Sequence, residues 1–507
     1  MSDAIRRIII AGGGTAGWMC AAALRKGLGR TVELVLIESE DIGTVGVGEA
    51  TIPPIRKFLE HVGIDELDFI RETEASFKLG IEFAGWGTPD SRYFHGFGDF
   101  GAVHEAVRPY QLWRLLREAG DETPLEAWSL PAALAKAGKF FPPNPDPRSP
   151  MHDYAYAYHF DAGLFARFLR RHCEAQGVKR INAKIDAVQL RPADGFIEAL
   201  TLDNGTSEAA DFFIDCTGFR GLLIEEALKA GFEDWSHWLP ADRAWAVPTA
   251  HHTGAGITPF TTSTAHAAGW QWRIPLQHRT GNGHVFASAF MDEETARDVL
   301  LHHLEGKALK DPMLIRFTTG RRPHPWTKNC VAVGLSSGFL EPLESTSINL
   351  IQSGIAQFLE LFPSRQAEAV LRREYNRQMS LSYERVRDFI ILHYKLNTRS
   401  EPLWRYCADM PIPDTLAHKI ELFSVRGDVV SYDWDHFAEP SWIAVMNGQG
   451  VVSRFTDPLA QRLPLESVRA LMAQRRDVLA QVVRQLPAHA DFIAHHCPSP
   501  DTLKASV

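Results

Sequence analysis

The chain has 507 residues, 45% of them apolar and 23% charged, which is enough to bury a large core and to divide it between two or more lobes. A formal net charge of -9 with both signs interspersed leaves no basic stripe for a nucleic acid, and no run of about eighteen apolar residues is available to span a bilayer. The start MSDAIRR leads into a strand pattern without the charged and apolar regions of a signal peptide, so a cytoplasmic location is expected.

In chain order, residues 8–11 form an apolar strand, followed by a glycine turn and a helix opening near Thr15. Gly12, Gly14 and Gly17 occupy the G-x-G-x-x-G positions, with Thr15 and Ala16 inside the same turn. The first glycine permits the tight turn, the second lets backbone approach a pyrophosphate, and the third lets helix pack on strand. Glu38 follows the strand 32–37, where an acid accepts hydrogen bonds from a ribose hydroxyl. A glycine triplet alone also suits an ordinary turn; strand, helix and acid in register make it a dinucleotide fingerprint. Residues 46–51, GVGEAT, include Gly48, Glu49 and Ala50 and by themselves read as a turn before a helix beginning near Pro53.

The proline-rich stretch 141–150 predicts an extended surface crossing, and Tyr154, Tyr156 and Tyr158 alternate as a half-buried strand does. A helix over 162–174 follows, capped by Asp161. Residues 210–219 (ADFFIDCTGF) and 329–339 (NCVAVGLSSGF) each run from strand into a small-residue turn, the second placing Gly334 and Leu335 there and leading to a helix after Ser345. Three returns of this kind describe one interleaved flavin domain, which favours FAD over a nicotinamide cofactor. The predicted fold is therefore α/β: a Rossmann-like FAD-binding domain of the GR2 flavoprotein monooxygenase type, with an interleaved, largely helical substrate-binding lobe. Residues 1–60, 150–235 and 320–350 are expected in the first, and 61–149, 236–319 and 351–507 in the second, closing with an amphipathic helix near 465–486. The six cysteines are scattered without C-x-x-C and read as buried reduced thiols. Paired histidines at 251–252, 302–303 and 495–496 lack the i, i+4 spacing of a helical zinc site, so no metal is expected.

Residues 269–275, GWQWRIP, alternate so that Trp270, Trp272 and Ile274 share one face of a strand ending at Pro275. Together with GGGTAG (12–17), GVGEATIPP (46–54), FKLG (77–80), YHFDAGLFARFLR (158–170), IDCTGF (214–219) and NCVAVGLSSGFLEPLESTSI (329–348), this strand resembles the flavin-dependent tryptophan halogenases. The likeness runs from the N-terminus to about Arg399 and thins beyond it.

The resemblance implies that reduced FAD, oxygen and halide yield hypohalous acid, which passes through a tunnel to an organic substrate. Lys78 matches the lysine at the tunnel's end, which hydrogen-bonds hypohalous acid or becomes a haloamine; burial would lower its pKa and favour the amine. Glu344 matches the glutamate that stabilises the arenium cation and accepts the proton lost on rearomatisation, although a helix-capping role alone also suits it. Backbone N–H groups of Thr346 and Ser347 match the halide site; many members have glycine where Ser347 stands. Trp270 and Trp272 match the wall between flavin and substrate that suppresses direct hydroxylation, with Ile274 and Pro275 completing the motif. GVGEAT matches the strap over the flavin.

His95 and Phe97 match by spacing the pair that sandwiches an indole ring. The paired tyrosines and glutamate with which free-tryptophan enzymes grip the amino-acid backbone have no counterpart; SYDWDHFAEPSW at 431–442 offers aromatics and acids in another pattern. Indole, a substituted indole or a tryptophan within a larger molecule is the expected substrate, chlorinated or brominated. With no second dinucleotide fingerprint, reduced flavin is expected from a separate NADH-dependent reductase, and the chain to be a monomer or homodimer. A flavin-dependent aromatic hydroxylase and a non-catalytic descendant of a halogenase are the rival readings.

Overall fold

Continuous apolar strands flanked by glycine turns pair in parallel when both faces are covered by helices, and the N-terminal run does so. The computed structural model describes residues 3–41, 48–252 and 256–500. The strand Arg7–Ala11 lies between Phe212–Asp215 and Glu33–Glu38, parallel to both, with Ile9 opposite Phe213 and Val35. Lys179–Asn182 extends the sheet beyond Glu33–Glu38, and Cys330–Ala332 extends it beyond Phe212–Asp215. The three strands read from sequence as returns are thus immediate neighbours. Each ends at the same edge, so their turns gather at one place.

The helix Thr15–Leu28 follows the first strand so closely that a Cβ on Gly17 would meet the Gly12 carbonyl oxygen at 1.9 Å. At the second return, the buried Asp215 carboxylate organises the turn. One oxygen accepts from Thr217 N–H and O–H, the other from the Leu223 and Ile224 N–H groups. The helix Ala162–Ala175 begins as its sequence predicts, with Asp161 accepting from Leu164 N–H at 2.9 Å. These elements belong to a compact unit comprising Met1–Glu74, Phe160–Pro240 and Arg316–Glu384.

A second unit comprises Ala75–His159, Ala241–Ile315 and Arg385–Val507. Its sheet carries, as successive neighbours, Arg243–Thr249, Thr280–Phe286, Gly269–Pro275, Thr261–His266, Gly80–Ala84 and Arg92–Gly96. The pairings are antiparallel except where Thr261–His266 runs parallel to Gly80–Ala84. The short strand Ser76–Lys78 pairs antiparallel with Ala157–Asp161, setting Ser76 opposite His159 and Lys78 opposite Ala157. Helices supply the rest, among them Asp414–Arg426, Glu439–Gly448, the predicted long helix at Leu465–Gln485 and a last one at His489–His496.

The tyrosine run differs from its sequence pattern. The strand starts at Ala157, and residues 157–160 are all buried, so there is no solvent face. Alternation there distinguishes two buried sides, one where Phe77 and Phe140 meet Tyr156 edge-on. All six cysteines are free, five buried and Cys216 partly so; Cys20 and Cys216 bring their sulfurs within 3.9 Å. Among the described residues no group of histidine, cysteine and acidic side chains is arranged to hold a metal, and no helix is long and apolar enough to cross a membrane.

Gly17→Ala would force strand and helix apart, lowering the unfolding free energy by about 1–3 kcal/mol, the usual cost of overpacking. Gly14→Ala, whose Cβ would meet nothing within 4 Å, leaves stability unchanged. Calorimetric Tm values of the two variants check the contrast.

Candidate active site

In the first unit, the chain leaves the strand Arg7–Ala11 at Gly12, where φ is +105° and an added Cβ would lie 2.3 Å from the Cys216 carbonyl oxygen. Only glycine fits such a turn. Gly14 is the cap of the following helix and makes no side-chain cap bond, so the first-turn N–H groups of the helix that Thr15 and Ala16 begin are open to an external acceptor. Glu38 ends the neighbouring strand, and a Cβ on Gly13 would coincide with its carboxylate at 1.5 Å. Arg180 holds that carboxylate at 2.6 Å, with Arg170 at 3.8 Å. Gly334, at φ +77°, lies where a Cβ would meet Ala16 at 2.8 Å and Ile351 at 3.6 Å, so the third return and Leu335 close on the same turn. Of the GVGEAT segment, Gly46 and Val47 lie outside the described residues. Gly48–Ala50 is a short strand, and loss of hydration pushes the Glu49 carboxyl up to about 7.

Also in this unit, the EPLESTSI segment has an unusual backbone. Glu341, Glu344 and Ser345 have φ of 61°, 64° and 59°, a region that side-chain-bearing residues rarely adopt. Each such residue costs of order 1–3 kcal/mol and persists only where its surroundings over-determine it. Glu344 is 1% exposed. Thr346 then caps the helix Ser347–Glu360 without a side-chain cap bond, and its buried hydroxyl has no partner among the described residues. The open helix N-terminus and hydroxyl together suit a small anion.

In the second unit, Lys78 has no solvent exposure, and its Nζ lies 5.4 Å from the centre of the Phe97 ring. The buried His95 ring meets Phe97 edge-on at 6.1 Å and Phe389 at 5.6 Å, while Phe437 stacks on Phe389 at 3.9 Å. Lys78, His95 and Phe97 are therefore brought together, with Phe389 and Phe437 as aromatic neighbours that motif reading did not single out.

The strand Gly269–Pro275 buries Trp270 and Trp272 with ring centres 6.2 Å apart, and both indole nitrogens are buried without a partner among the described residues. Gly283 faces Trp272 in register, and any side chain there would enter the indole, since a Cβ would sit 2.1 Å from it. Ile274 and Pro275 complete the strand, both buried. On the strand's other face Gln271 is buried and Arg273 half-buried. Gln271 sits opposite His284, and His266 lies 5.4 Å from His284 and 4.4 Å from His303, ring centre to ring centre. Burial pushes His266 down to about 3 and His284 to about 4.

Sequence reasoning also missed a chain of hydrogen bonds beside Lys78. Ser76, His159 and Thr261, all buried, link in series to the Pro275 carbonyl. His159 stood inside a family string, but nothing local marks Ser76 or Thr261 as its partners.

Three kinds of comparison with known proteins agree. A family model described as tryptophan halogenase matches residues 7–465. The chain is 34% identical to tryptophan 7-halogenase RebH of Lentzea aerocolonigenes, over 97% of this chain and 99% of that one. It is 33% identical to tryptophan 6-halogenase SttH of Streptomyces toxytricini, over 96% and 98%. Among solved structures, BrvH, a flavin-dependent halogenase from Brevundimonas sp. BAL3, superposes with TM-score 0.95 at 47% identity, covering 98% of this chain and all (100%) of that one. Xcc4156, a flavin-dependent halogenase from Xanthomonas campestris, gives 0.94 at 46% identity, over 98% and 99%.

The histidines behind the tryptophan strand make stability depend on pH. Unfolded, they bind protons near pH 6.5; folded, His284 and His266 do so only near about 4 and about 3. The unfolded chain therefore binds more protons between these values, and stability present above pH 6.5 is lost as the pH falls toward 4. Urea midpoints should drop between pH 7 and pH 5, less steeply in His284→Asn.

Proposed function

The chain belongs to the tryptophan halogenase family, and on that footing we propose that it halogenates an indole-like or other electron-rich aromatic by electrophilic substitution, and that free tryptophan is not its substrate. The observation that carries this reading is the fully buried Lys78 against Phe97 and His95. In it the first compact unit holds the flavin and the second receives the substrate.

The residues present fit FAD. The turn at Gly12–Gly14 leaves open space beyond Gly14 and unclaimed N–H groups at the helix start, which suit a pyrophosphate, and Glu38 is anchored beside it to accept from a ribose. Gly334 and Leu335 close the turn, and Gly48, Glu49 and Ala50 form the described part of the strap. Supplied in reduced form by a separate NADH-dependent flavin reductase, FAD provides the oxygen activation that converts halide to hypohalous acid.

The rest falls to the protein's own groups. Thr346 and Ser347 present N–H groups at a helix N-terminus to the halide. The Lys78 amine holds hypohalous acid by a hydrogen bond, or reacts with it so that an N–halogen bond forms and water leaves. Either way the halogen reaches the aromatic ring as an electrophile from a fixed point. Glu344 receives the ring proton when aromaticity returns. Trp270 and Trp272 wall the substrate from direct oxygenation. A hydroxylase would need neither the lysine nor this wall.

Residues 431–442 do not suit free tryptophan. Asp435 is taken by Lys419 at 2.8 Å and Glu439 by Arg108 at 2.8 Å, while the Tyr432 ring is covered by Lys419 at 4.8 Å and Arg385 at 4.9 Å. Acids and a tyrosine already paired within the protein do not grip an amino-acid zwitterion.

With FAD, a flavin reductase, NADH, oxygen and chloride or bromide, the protein should convert indole to a haloindole detectable by mass spectrometry, and free tryptophan far less well. Lys78→Ala should abolish the product, and Glu344→Gln should lower its rate by roughly 10²–10⁴-fold, the range for loss of a general base. A hydroxylated product without halide, or undiminished halogenation by Lys78→Ala, would overturn the reading.

A further inference from the structure

Lys78 lies on a strand held from both sides by buried imidazoles. Ser76, two residues before Lys78 and so on the same face of the strand, has one hydroxyl proton, which it donates to the Pro275 carbonyl oxygen at 2.5 Å. Its contact with His159 Nδ1 at 3.0 Å is therefore a bond it accepts, and the Nδ1 atom carries the imidazole proton. His159 Nε2 is left as an acceptor, filled by the Thr261 hydroxyl at 2.9 Å. Every group in the series Thr261, His159, Ser76, Pro275 has a defined role. Reversing any one would leave a buried donor or acceptor unmatched.

The intervening residue is gripped as well. The Phe77 N–H donates to His489 Nε2 at 3.1 Å, and His489 Nδ1 pairs with the Ile257 carbonyl at 2.7 Å. Both imidazoles are neutral. Burial first, then the nearby Lys78 and His489, hold His159 well below the ordinary histidine value, and burial holds His489 at about 4. All of these residues belong to the second unit.

We propose that His159 is a positioning residue for Lys78: clamped in one tautomer between Ser76 and Thr261, it ties the lysine strand to the Pro275 end of the tryptophan strand. The lysine that delivers halogen is thereby registered against the wall that shields the substrate. This rests on the halogenase reading above. Loosening the tie lets hypohalous acid form at the normal rate yet escape before reaching the ring. Misplacement of about 1 Å in such a site costs up to about 10²-fold in rate.

Thr261→Val keeps the side-chain shape and removes only the hydroxyl. The experiment measures three quantities: flavin oxidised, haloindole formed, and hypohalous acid trapped in solution by a halogen-accepting dione. In Thr261→Val the haloindole formed per flavin oxidised should fall by about tenfold and the trapped oxidant rise to match, with KM for indole unchanged. Thr261→Ser should restore the wild-type partition, and His159→Gln should behave like Thr261→Val. A wild-type partition in both Thr261→Val and His159→Gln overturns the proposal, as does a Thr261→Ser variant no better than Thr261→Val, which would show packing alone. Wild-type protein that makes no haloindole overturns the functional reading beneath it.

Discussion

The second unit is organised around a lysine from which water has been excluded. Burial favours the neutral amine of a lysine over its ammonium, and the amine is the form whose nitrogen can take up a halogen. The Phe97 ring closes one side of it, 5.4 Å from the nitrogen. His159 and His489 remain neutral, so they grip the strand through hydrogen bonds without adding a positive charge. The same constraint explains the depth of the strand pairing, in which Lys78 emerges from a sheet layer with no wet side.

A second constraint governs the first unit, where strained backbone stands beside open hydrogen-bonding groups. Three left-handed residues within five positions, none of them glycine, deliver a buried carboxylate immediately before a helix whose N-terminus is left without a side-chain cap. Glycine would relieve the strain at 344, but it has no carboxylate to offer. A glutamate held in this conformation carries strain of the kind that collects at working sites.

Much of this was legible in the sequence because the information is local. The glycine triplet, its strand and helix, and the acid that follows fall within a short window, and three apolar runs with small-residue turns pointed to one interleaved domain, in which they prove to be neighbouring parallel strands. The Asp161 cap was read from a single residue. What could not be read depends on distant partners. Thr261–His266 pairs with Gly80–Ala84 across a long insertion, and His159 finds its hydrogen bonds 83 and 102 residues away. Tyr156 and Tyr158 looked half-buried because alternation reports two different sides, not that one of them is wet. Nothing in EPLESTSI announces a left-handed turn, since the usual signal, glycine, is missing.

The placement of sulfur has a bearing on how long such a catalyst survives. A protein that generates an electrophilic halogen is itself the nearest reductant, and thiols are among the fastest groups to react with such oxidants. No cysteine here is exposed, and burial raises the Cys173, Cys216 and Cys330 thiols above their usual range, suppressing the thiolate form that reacts most readily. Self-inactivation through sulfur is thereby slowed, and the working lifetime of the enzyme becomes a property of its core packing.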